Sequence, residues 1–411
     1  MNSNSLFKTG RKVLFAVLTL AAGLRMPAVS GADLQKLMAA NNTFAFDLMG
    51  QVARGQRDAN VFLSPFSVSS ALQMVENGAA GQTKMEMQQV LHTANQLPAA
   101  LNQSFKELNQ SLLSRKDVTL NLANGIWFKQ GFHLKPDFVA QNKNFFKAEL
   151  AGVDFDNPKS AQTINNWAEK QTQGRIKDIE KFPFDPMIRL ILANAIYFKG
   201  KWFIPFDKSQ TKPRDFHLPS GKTKATPTMM QSREFGYQET PDFQAVRLFY
   251  EGRFQMEVFL PAKNSSPLKL LESFKTGENW QNNIEAGFHG RQGTLMLPKF
   301  KMECAVRLNE PLETLGMKRA NSIIAEFPAM ADEPLFISEM KQESFVEVDE
   351  KGTEAAAVTG ISVTAMGAEF EPPKPFEMIV DRPFLFVISD TISDSILFTG
   401  IVSDPTSGSA N

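Results

Sequence analysis

The sequence predicts an α+β fold in one large domain, and three observations support this prediction. Apolar residues recur with helical spacing in the first part of the chain, whereas strand-like segments dominate from residue 245 onward. The 411 residues contain no internal repeat and no linker rich in Gly, Ser or Pro, although a chain of this length often forms two or three domains. Phe is abundant, with 35 residues against 3 Tyr, which indicates a large aromatic core without polar groups.

The first thirty residues, 1–30, resemble a secretory signal peptide. Basic residues precede an apolar run at 13–24, and small residues follow at 28–30. The run is too short to span a bilayer, because a spanning helix needs about 20 apolar residues. The alternative is an ordinary apolar N-terminal helix. We expect a secreted protein that starts near Gly31, or a periplasmic one in a Gram-negative host.

Four segments are predicted to be helices because their apolar residues recur every three or four positions and so share one face. Ser67 is expected to cap the second helix, since Ser favours the N-cap position. The segments are 34–48, the region from 67 onward, 97–112 and 161–173.

Strands are predicted from β-branched and aromatic composition. Residues 189–198 are almost continuously apolar, which is typical of a strand buried on both faces. The other predicted strand regions are 120–128, 245–260, 294–307, 344–349, 376–380 and 384–388.

Charge and residue counts argue against several classes of protein. Lys+Arg and Asp+Glu each number 44 and cancel, whereas a nucleic-acid partner would favour surplus basic residues. One cysteine, Cys304, and four histidines without an HExxH pattern predict no metal site and no disulfide. No G-x-S-x-G elbow and no phosphate-binding G-x-x-x-x-G-K-[ST] loop is present, so an enzyme is not expected.

The segment 350–375 carries signals for two different structures. Thr353, Ala355 and Ala357 belong to one alternating set, which is small and then apolar, and Glu354 and Ala356 belong to the more polar set. This alternation is typical of a half-buried strand. Gly and Pro residues on both sides mark a loop. Two conformational states are therefore one interpretation, beside an ordinary strand or a flexible Ala-rich loop.

The eight residues Glu350-Lys351-Gly352-Thr353-Glu354-Ala355-Ala356-Ala357 resemble the hinge of the serpin family of protease inhibitors. Further family motifs follow in family order, and the resemblance runs from about residue 32 to 405. These motifs lie at 60–67, 194–202, 206–216, 229–230, 297–300, 315–317, 381–386 and 397–400.

The resemblance implies a serpin fold of three β-sheets and eight or nine helices in a single domain, 31–411. An exposed reactive-centre loop, about 352–375, would be the bait for a protease. Cleavage would let the loop insert as a strand into the central sheet and trap the acyl-enzyme. The small hinge residues favour this inhibitor. The alternative is a non-inhibitory serpin that acts as a binding or carrier module, or as a plain protease substrate.

The usual family spacing, counted from Glu350, puts the reactive bond at Met366–Gly367. A register one residue shorter would put it at Ala365–Met366. Met at this position favours a serine protease with an apolar primary pocket, of the elastase, chymotrypsin or subtilisin type, over a trypsin-like enzyme. Cysteine proteases are a second possible class of target.

The resemblance also assigns residues that control opening of the sheet. Ser64, Ser67 and Asn194 match the polar cluster called the shutter, and Gln342 occupies the position that is usually His. Gln both donates and accepts hydrogen bonds, so it can substitute for His without titrating near neutral pH. Trp202 matches the breach, where the loop enters the sheet. The region 83–115 lacks a basic cluster, so no polysaccharide cofactor is expected, and a monomer is predicted.

Overall fold

A computed structural model describes residues 30–274, 284–352 and 374–407. Eight α-helices lie in these ranges: α1 (Gly31–Gly55), α2 (Pro65–Glu76), α3 (Gly81–Val90), α4 (Pro98–Leu113), α5 (Pro136–Phe146), α6 (Lys159–Gln171), α7 (Pro267–Ser273) and α8 (Asn309–Leu315). The strands in these ranges are β1 (Val61–Leu63), β2 (Val118–Lys129), β3 (Glu149–Val153), β4 (Leu190–Gly200), β5 (Lys212–His217), β6 (Thr223–Glu239), β7 (Phe243–Phe249), β8 (Phe254–Pro261), β9 (His289–Pro298), β10 (Phe300–Arg307), β11 (Glu339–Val348), β12 (Phe376–Ile379), β13 (Phe384–Asp390) and β14 (Ile396–Val402).

A five-stranded sheet positions the candidate site. Its strand order is β10-β11-β4-β2-β3. The predicted strand at 189–198 is confirmed as β4, the middle strand, which is buried along almost its whole length. Both faces of β4 are apolar because α6 covers the outer face of the sheet and the main core covers its inner face. Strands β4 and β11 are parallel, whereas β2 is antiparallel to β4.

The remaining described strands form one hydrogen-bonded sheet of nine strands. This sheet consists of two groups, β1-β14-β13-β8-β7 and β5-β6-β9-β12. Only Gly236–Glu239 of the long strand β6 pair with β7 in the described register, and they join the two groups. Counted by group, the described strands give the three sheets that the resemblance implied.

Aromatic packing between the sheets forms the main core, as the Phe-rich composition predicted. Phe62 stacks on Phe398 at a ring-centroid distance of 5.4 Å, and Phe198 lies 5.5 Å from Phe398. A smaller apolar cluster lies under α6, where Ile164 and Trp167 pack against β2 and β4. The helix predicted at 34–48 is confirmed as part of α1, and the helix predicted at 161–173 is confirmed as α6 except for its last two residues, which follow the helix end at Gln171.

Three details differ from the sequence prediction. Ser64, not Ser67, caps α2: its hydroxyl accepts a hydrogen bond from the Ser67 amide, and Pro65 occupies the first turn. Strands β5 and β6 were not predicted, because β6 carries many polar residues, and two of the buried positions in its first half are Thr226 and Thr228. Leu97 precedes α4 and is 75% exposed, so it does not belong to the buried face of that helix.

The lone cysteine, Cys304, lies on β10 and is buried. Its thiol lies 3.9 Å from the carbonyl oxygen of Asn60. Burial raises the pKa of this thiol to about 11.

Candidate functional site

The seam between the parallel strands β4 and β11 forms the centre of the site. Their described pairing runs from Glu339 opposite Ile191 to Phe345 opposite Tyr197. It stops three residues before the end of each strand, at Val348 and Gly200. The two strands therefore part at the end from which β11 leads into the predicted loop.

A tight turn reverses the chain directly after β11. The amides of Asp349 and Gly352 each donate to the other residue's carbonyl oxygen, at 3.0 and 3.2 Å. Gly352 has a φ of +108° and forms a bridge to Lys201, at the end of β4. An added Cβ would lie 2.4 Å from the amide nitrogen of Trp202, so the turn requires glycine.

Glu350 holds this turn to three other segments. Its carboxylate accepts a hydrogen bond from the Thr211 hydroxyl at 2.8 Å and forms an ion pair with the Lys299 ammonium group at 2.7 Å. Its backbone carbonyl accepts from the Phe206 amide at 2.7 Å. Burial raises the pKa of Glu350, but the hydrogen bonds from Lys299 and Thr211 outweigh it, so the pKa lies below its usual value. The predicted hinge glutamate is therefore a buried, charged anchor.

Trp202 lies against the same turn, where the resemblance placed the breach. Its indole N–H donates to the carbonyl oxygen of Asp349 at 2.9 Å. Its backbone amide donates to the carbonyl oxygen of Lys351 at 3.1 Å. The ring stacks on Tyr250 at a centroid distance of 4.2 Å. Trp202 thus links the turn, through Tyr250, to the nine-stranded sheet.

The four predicted shutter residues meet in one buried network beneath the seam. Gln342 of β11 lies opposite Asn194 of β4 in register and donates to its side-chain oxygen at 2.5 Å. The side-chain amide of Gln342 also accepts a hydrogen bond from the backbone amide of Ser64 at 2.7 Å. It donates one to the backbone carbonyl oxygen of Ser64 at 3.0 Å. Asn194 donates to the Ser67 hydroxyl at 2.5 Å. Gln342 therefore both donates and accepts here, as the sequence predicted.

Sequence reasoning missed several partners of these residues. Asn124 of β2 lies opposite Asn194 and accepts its hydrogen bond at 2.7 Å. The signal was a polar residue inside the apolar stretch 120–128. Thr211 and Lys299 lie in quoted family motifs, but no role was assigned to either. The signal that assigns a role to Lys299, a buried glutamate that requires a cation, becomes visible only in three dimensions.

Other predicted site residues lie outside the described ranges. These are the hinge residues Thr353, Glu354, Ala355, Ala356 and Ala357 and the reactive-bond residues Met366 and Gly367.

Within the described residues, no three His, Cys, Asp or Glu side chains converge in a way that could hold a metal ion. No helix in those ranges has both the length and the apolar character needed to cross a bilayer.

Comparison with known proteins places the chain in a family. The family model described as serpin (serine protease inhibitor) matches residues 39–405. An uncharacterized serpin-like protein of Thermococcus kodakarensis is 38% identical over 89% of this chain and 85% of its own length. The leukocyte elastase inhibitor of Bos taurus is 36% identical over 90% of this chain and 100% of its own.

A solved structure, that of human thyroxine-binding globulin, superposes with a TM-score of 0.82 at 26% identity, covering 91% of this chain and 100% of that one. The seam, the turn and the buried polar network thus lie in a chain that matches one family along most of its length. The chain belongs to the serpin family of serine protease inhibitors.

Proposed function

We propose that this serpin is a suicide-substrate inhibitor of serine proteases that have an apolar primary pocket. The observation that carries the proposal is the parallel pair β4 and β11, which part at the end where Gly352 reverses the chain. A segment that follows this turn and enters the seam would run antiparallel to both neighbours. Antiparallel ladders satisfy the backbone groups of an added strand on both of its sides.

The lengths of the chain segments support this geometry. Fourteen residues lie between Thr353 and Met366 inclusive, and as a strand they would extend about 46 Å at roughly 3.3 Å per residue. Strand β4 has 11 residues and spans about 36 Å on the same scale. A protease attached at Met366 would therefore be carried past the far end of the sheet.

The composition of the segment supports insertion as well. Thr353, Ala355 and Ala357 are small enough to enter a packed sheet, and no large charge or Pro stands among them. A buried charge would lack a partner, and a Pro would remove a ladder hydrogen bond.

The proposed reaction is an interrupted proteolysis. The protease nucleophile attacks the Met366 carbonyl carbon, the Met366–Gly367 bond breaks, and the new amine at Gly367 leaves with a proton. Insertion then competes with attack of water on the acyl bond. If insertion is faster, the protease is distorted and the ester persists.

The test is to mix the protein with elastase, chymotrypsin, subtilisin and trypsin and to analyse the products on denaturing gels and by mass spectrometry. We expect a covalent complex that survives boiling and a released fragment that starts at Gly367. Trypsin is the control that should form little complex. A complex with a fragment that starts at another residue would retain the mechanism and move the bond, for example to Ala365–Met366.

A second candidate function is a non-inhibitory serpin, and one finding favours it: the superposition on thyroxine-binding globulin, whose name says that it binds thyroxine. Complete cleavage near Met366 with every protease still active would contradict inhibition of those enzymes. Thermal melting of the cleaved protein then distinguishes the two functions. A large rise in the melting temperature indicates that the loop inserts, whereas an unchanged temperature supports the carrier.

We also propose that the protein is exported by residues 1–30 and acts outside the cytoplasm as a monomer. Ser30 caps α1 by accepting a hydrogen bond from the Asp33 amide, so the proposed cleavage near Gly31 lies at the start of that helix. N-terminal sequencing of the mature protein, together with sedimentation, tests both statements.

A further inference from the structure

A cavity of about 1080 Å³ lies beside the five-stranded sheet, and we name it the acidic cavity. Strands β10 and β11 line it, together with residues of the segment 178–188, the end of α1, and α8. Sites for small molecules commonly measure about 300–1000 Å³. The acidic cavity is therefore large enough to hold an organic molecule.

Acidic side chains outnumber basic ones around this cavity. The acidic ones are Asp178, Glu180, Asp185, Glu310, Glu339 and Glu343. Four basic side chains also line it, but Lys341 and Arg307 already pair with acids of the cavity. Arg54 pairs with Glu272, which lies outside the lining. The fourth, Lys181, is left to oppose the acids that have no ion-pair partner among the described residues.

Glu180 presents a buried oxygen without a partner to the acidic cavity. The side chain is only 1% exposed, and its Oε2 atom lies 2.6 Å from the Lys341 ammonium group. The other oxygen, Oε1, has no hydrogen-bond partner among the described residues. Burying a carboxylate oxygen in this way is costly, and native proteins normally supply a partner to such an atom. A ligand in the cavity that Glu180 lines could supply it.

Glu343 adds a second negative charge close to Glu180. Glu339, Lys341 and Glu343 alternate along β11 and so point to one face of the sheet, at intervals of about 6.6 Å. Lys341 is held by Glu180 and Glu339, whereas Glu343 forms no ion pair with a described residue. Burial raises the pKa of Glu180 and of Glu343 to about 7, and neighbouring acids, Glu180 among them, raise that of Glu343 further. Both groups, when ionised, therefore lack positive charge nearby.

The shape and the lining of the cavity favour an extended organic cation over a metal ion. Among the described residues, no three acidic side chains converge closely enough to hold a metal ion. The carboxyl groups are instead spread over β11, α8 and the segment 178–188. Phe184, Ile188 and Phe336 add apolar surface between them. Methylene groups can pack on such surface while charged ends reach the carboxylates.

We propose that the acidic cavity binds a linear polyamine, a chain of methylene groups that carries two or more ammonium groups. One ammonium group binds between Glu180 Oε1 and the Glu343 carboxylate, where its charge-assisted hydrogen bonds satisfy both. The other ammonium groups bind Asp178, on the segment 178–188, and Glu310, on α8. Polyamine binding needs neither a protease nor a movement of the sheet, so this site is independent of the proposed inhibition.

The test is isothermal titration calorimetry of the intact protein with the triamine spermidine. Low salt and about pH 8 keep the carboxyl groups ionised and little screened. We expect one spermidine per chain and a Kd below about 1 mM. Butylamine, which has one ammonium group, should bind at least about tenfold more weakly. Absence of saturable spermidine binding, or equal affinity for butylamine, would overturn the proposal.

Variants locate the site. Glu343→Gln removes one of the two anchoring carboxylates and should weaken spermidine binding about tenfold. Asp178→Asn changes an exposed residue outside the sheet and should also weaken binding. Glu347→Gln is the matched control, because Glu347 lies further along the same face of β11 but does not line the cavity. It should keep the native affinity.

The formal net charge of the chain is zero, so attraction to the protein as a whole should contribute little. Equal affinity in the native protein and all three variants, or equal weakening by Glu347→Gln and Glu343→Gln, would show that spermidine only follows surface charge. Either result would disprove the site.

Thermal melting gives a second readout, because a ligand that binds the folded chain raises its melting temperature. Spermidine should raise the melting temperature of the native protein and of Glu347→Gln, and should raise that of Glu343→Gln less. Magnesium chloride at the same concentration of positive charge is the control for ionic screening. A rise of the same size with magnesium would contradict a site for an extended organic cation.

Discussion

The turn at Gly352 depends on the absence of a side chain. A residue with a Cβ would be strained at a φ of +108°, and its Cβ would lie 2.5 Å from the Gly200 carbonyl oxygen. Gly352→Ala should therefore destabilise the native protein by about 1–3 kcal/mol. Thermal melting of the native and variant proteins measures this loss.

Gly131→Ala is the control for this prediction. Gly131 also has a positive φ, +96°, but an added Cβ would have no neighbour within 4 Å. Its substitution should cost only the backbone strain of a residue with a Cβ at positive φ, about 1 kcal/mol. Equal effects of the two substitutions would show that the close contact with β4 is not tight in solution.

The individual site residues differ in how far the sequence could identify them. Ser64, Ser67, Asn194 and Gln342 follow from the family resemblance, and the structure brings all four together. Asn124 could not be identified in that way, because its role depends on the register that places it opposite Asn194. A strand pattern shows which face a residue shares, but it does not show which residue faces it across the sheet.

Strand β11 and the segment after it form the element on which the proposed inhibition depends. Ala355 belongs to the alternating set expected to enter the sheet, and Ala356 belongs to the other set. Ala355→Glu would place an unpaired charge in the sheet, so insertion should slow and the protein should become a substrate. The measurement is the ratio of covalent complex to cleaved inhibitor on denaturing gels.

Ala356→Glu carries the same charge one position later and is the matched control. It should leave the ratio close to that of the native sequence, because its side chain would stay on the solvent-facing side. Similar losses for both variants would show that the alternation does not set the inserted face.

Prediction of the elements succeeded where one physical signal dominated. Strand β4 is apolar on both faces and was located to within about two residues. Strand β6 was missed because Thr226 and Thr228, two buried positions in its first half, are polar, so the sequence there shows neither apolar–polar alternation nor an apolar run. The parallel pairing of β4 with β11 is also beyond local sequence patterns, since about 140 residues separate the two strands.

The whole molecule buries several carboxyl groups, and this determines how its stability depends on pH. Burial raises the pKa of Glu76, Glu180, Glu257 and Glu343. Groups with a raised native pKa stabilise the fold below their ordinary pKa near 4.5, and this contribution is lost as the pH rises through the native value. The pKa values of Glu350 and Asp404 are lowered. The stability that these two groups contribute therefore increases with pH, but only below about pH 4.5.

We therefore expect the melting temperature to be a few degrees lower at pH 8 than at about pH 5.5. Differential scanning calorimetry at both pH values measures the change. Glu76→Gln, on α2, should reduce the difference by removing one titrating group. A higher melting temperature at pH 8 would contradict the balance of these shifts.

The buried thiol of Cys304 has a consequence for the redox chemistry of the protein in the oxidising environment that the proposed export implies. Thiolates, not thiols, attack disulfides, and with a pKa of about 11 almost no thiolate exists near neutral pH. The Cys304 thiol of the folded chain therefore reacts only slowly with oxidants and in disulfide exchange. Unfolding would return the thiol to an ordinary pKa and expose it, so two damaged copies could become covalently linked while intact ones could not. The single thiol thus distinguishes native from denatured molecules in an oxidising environment.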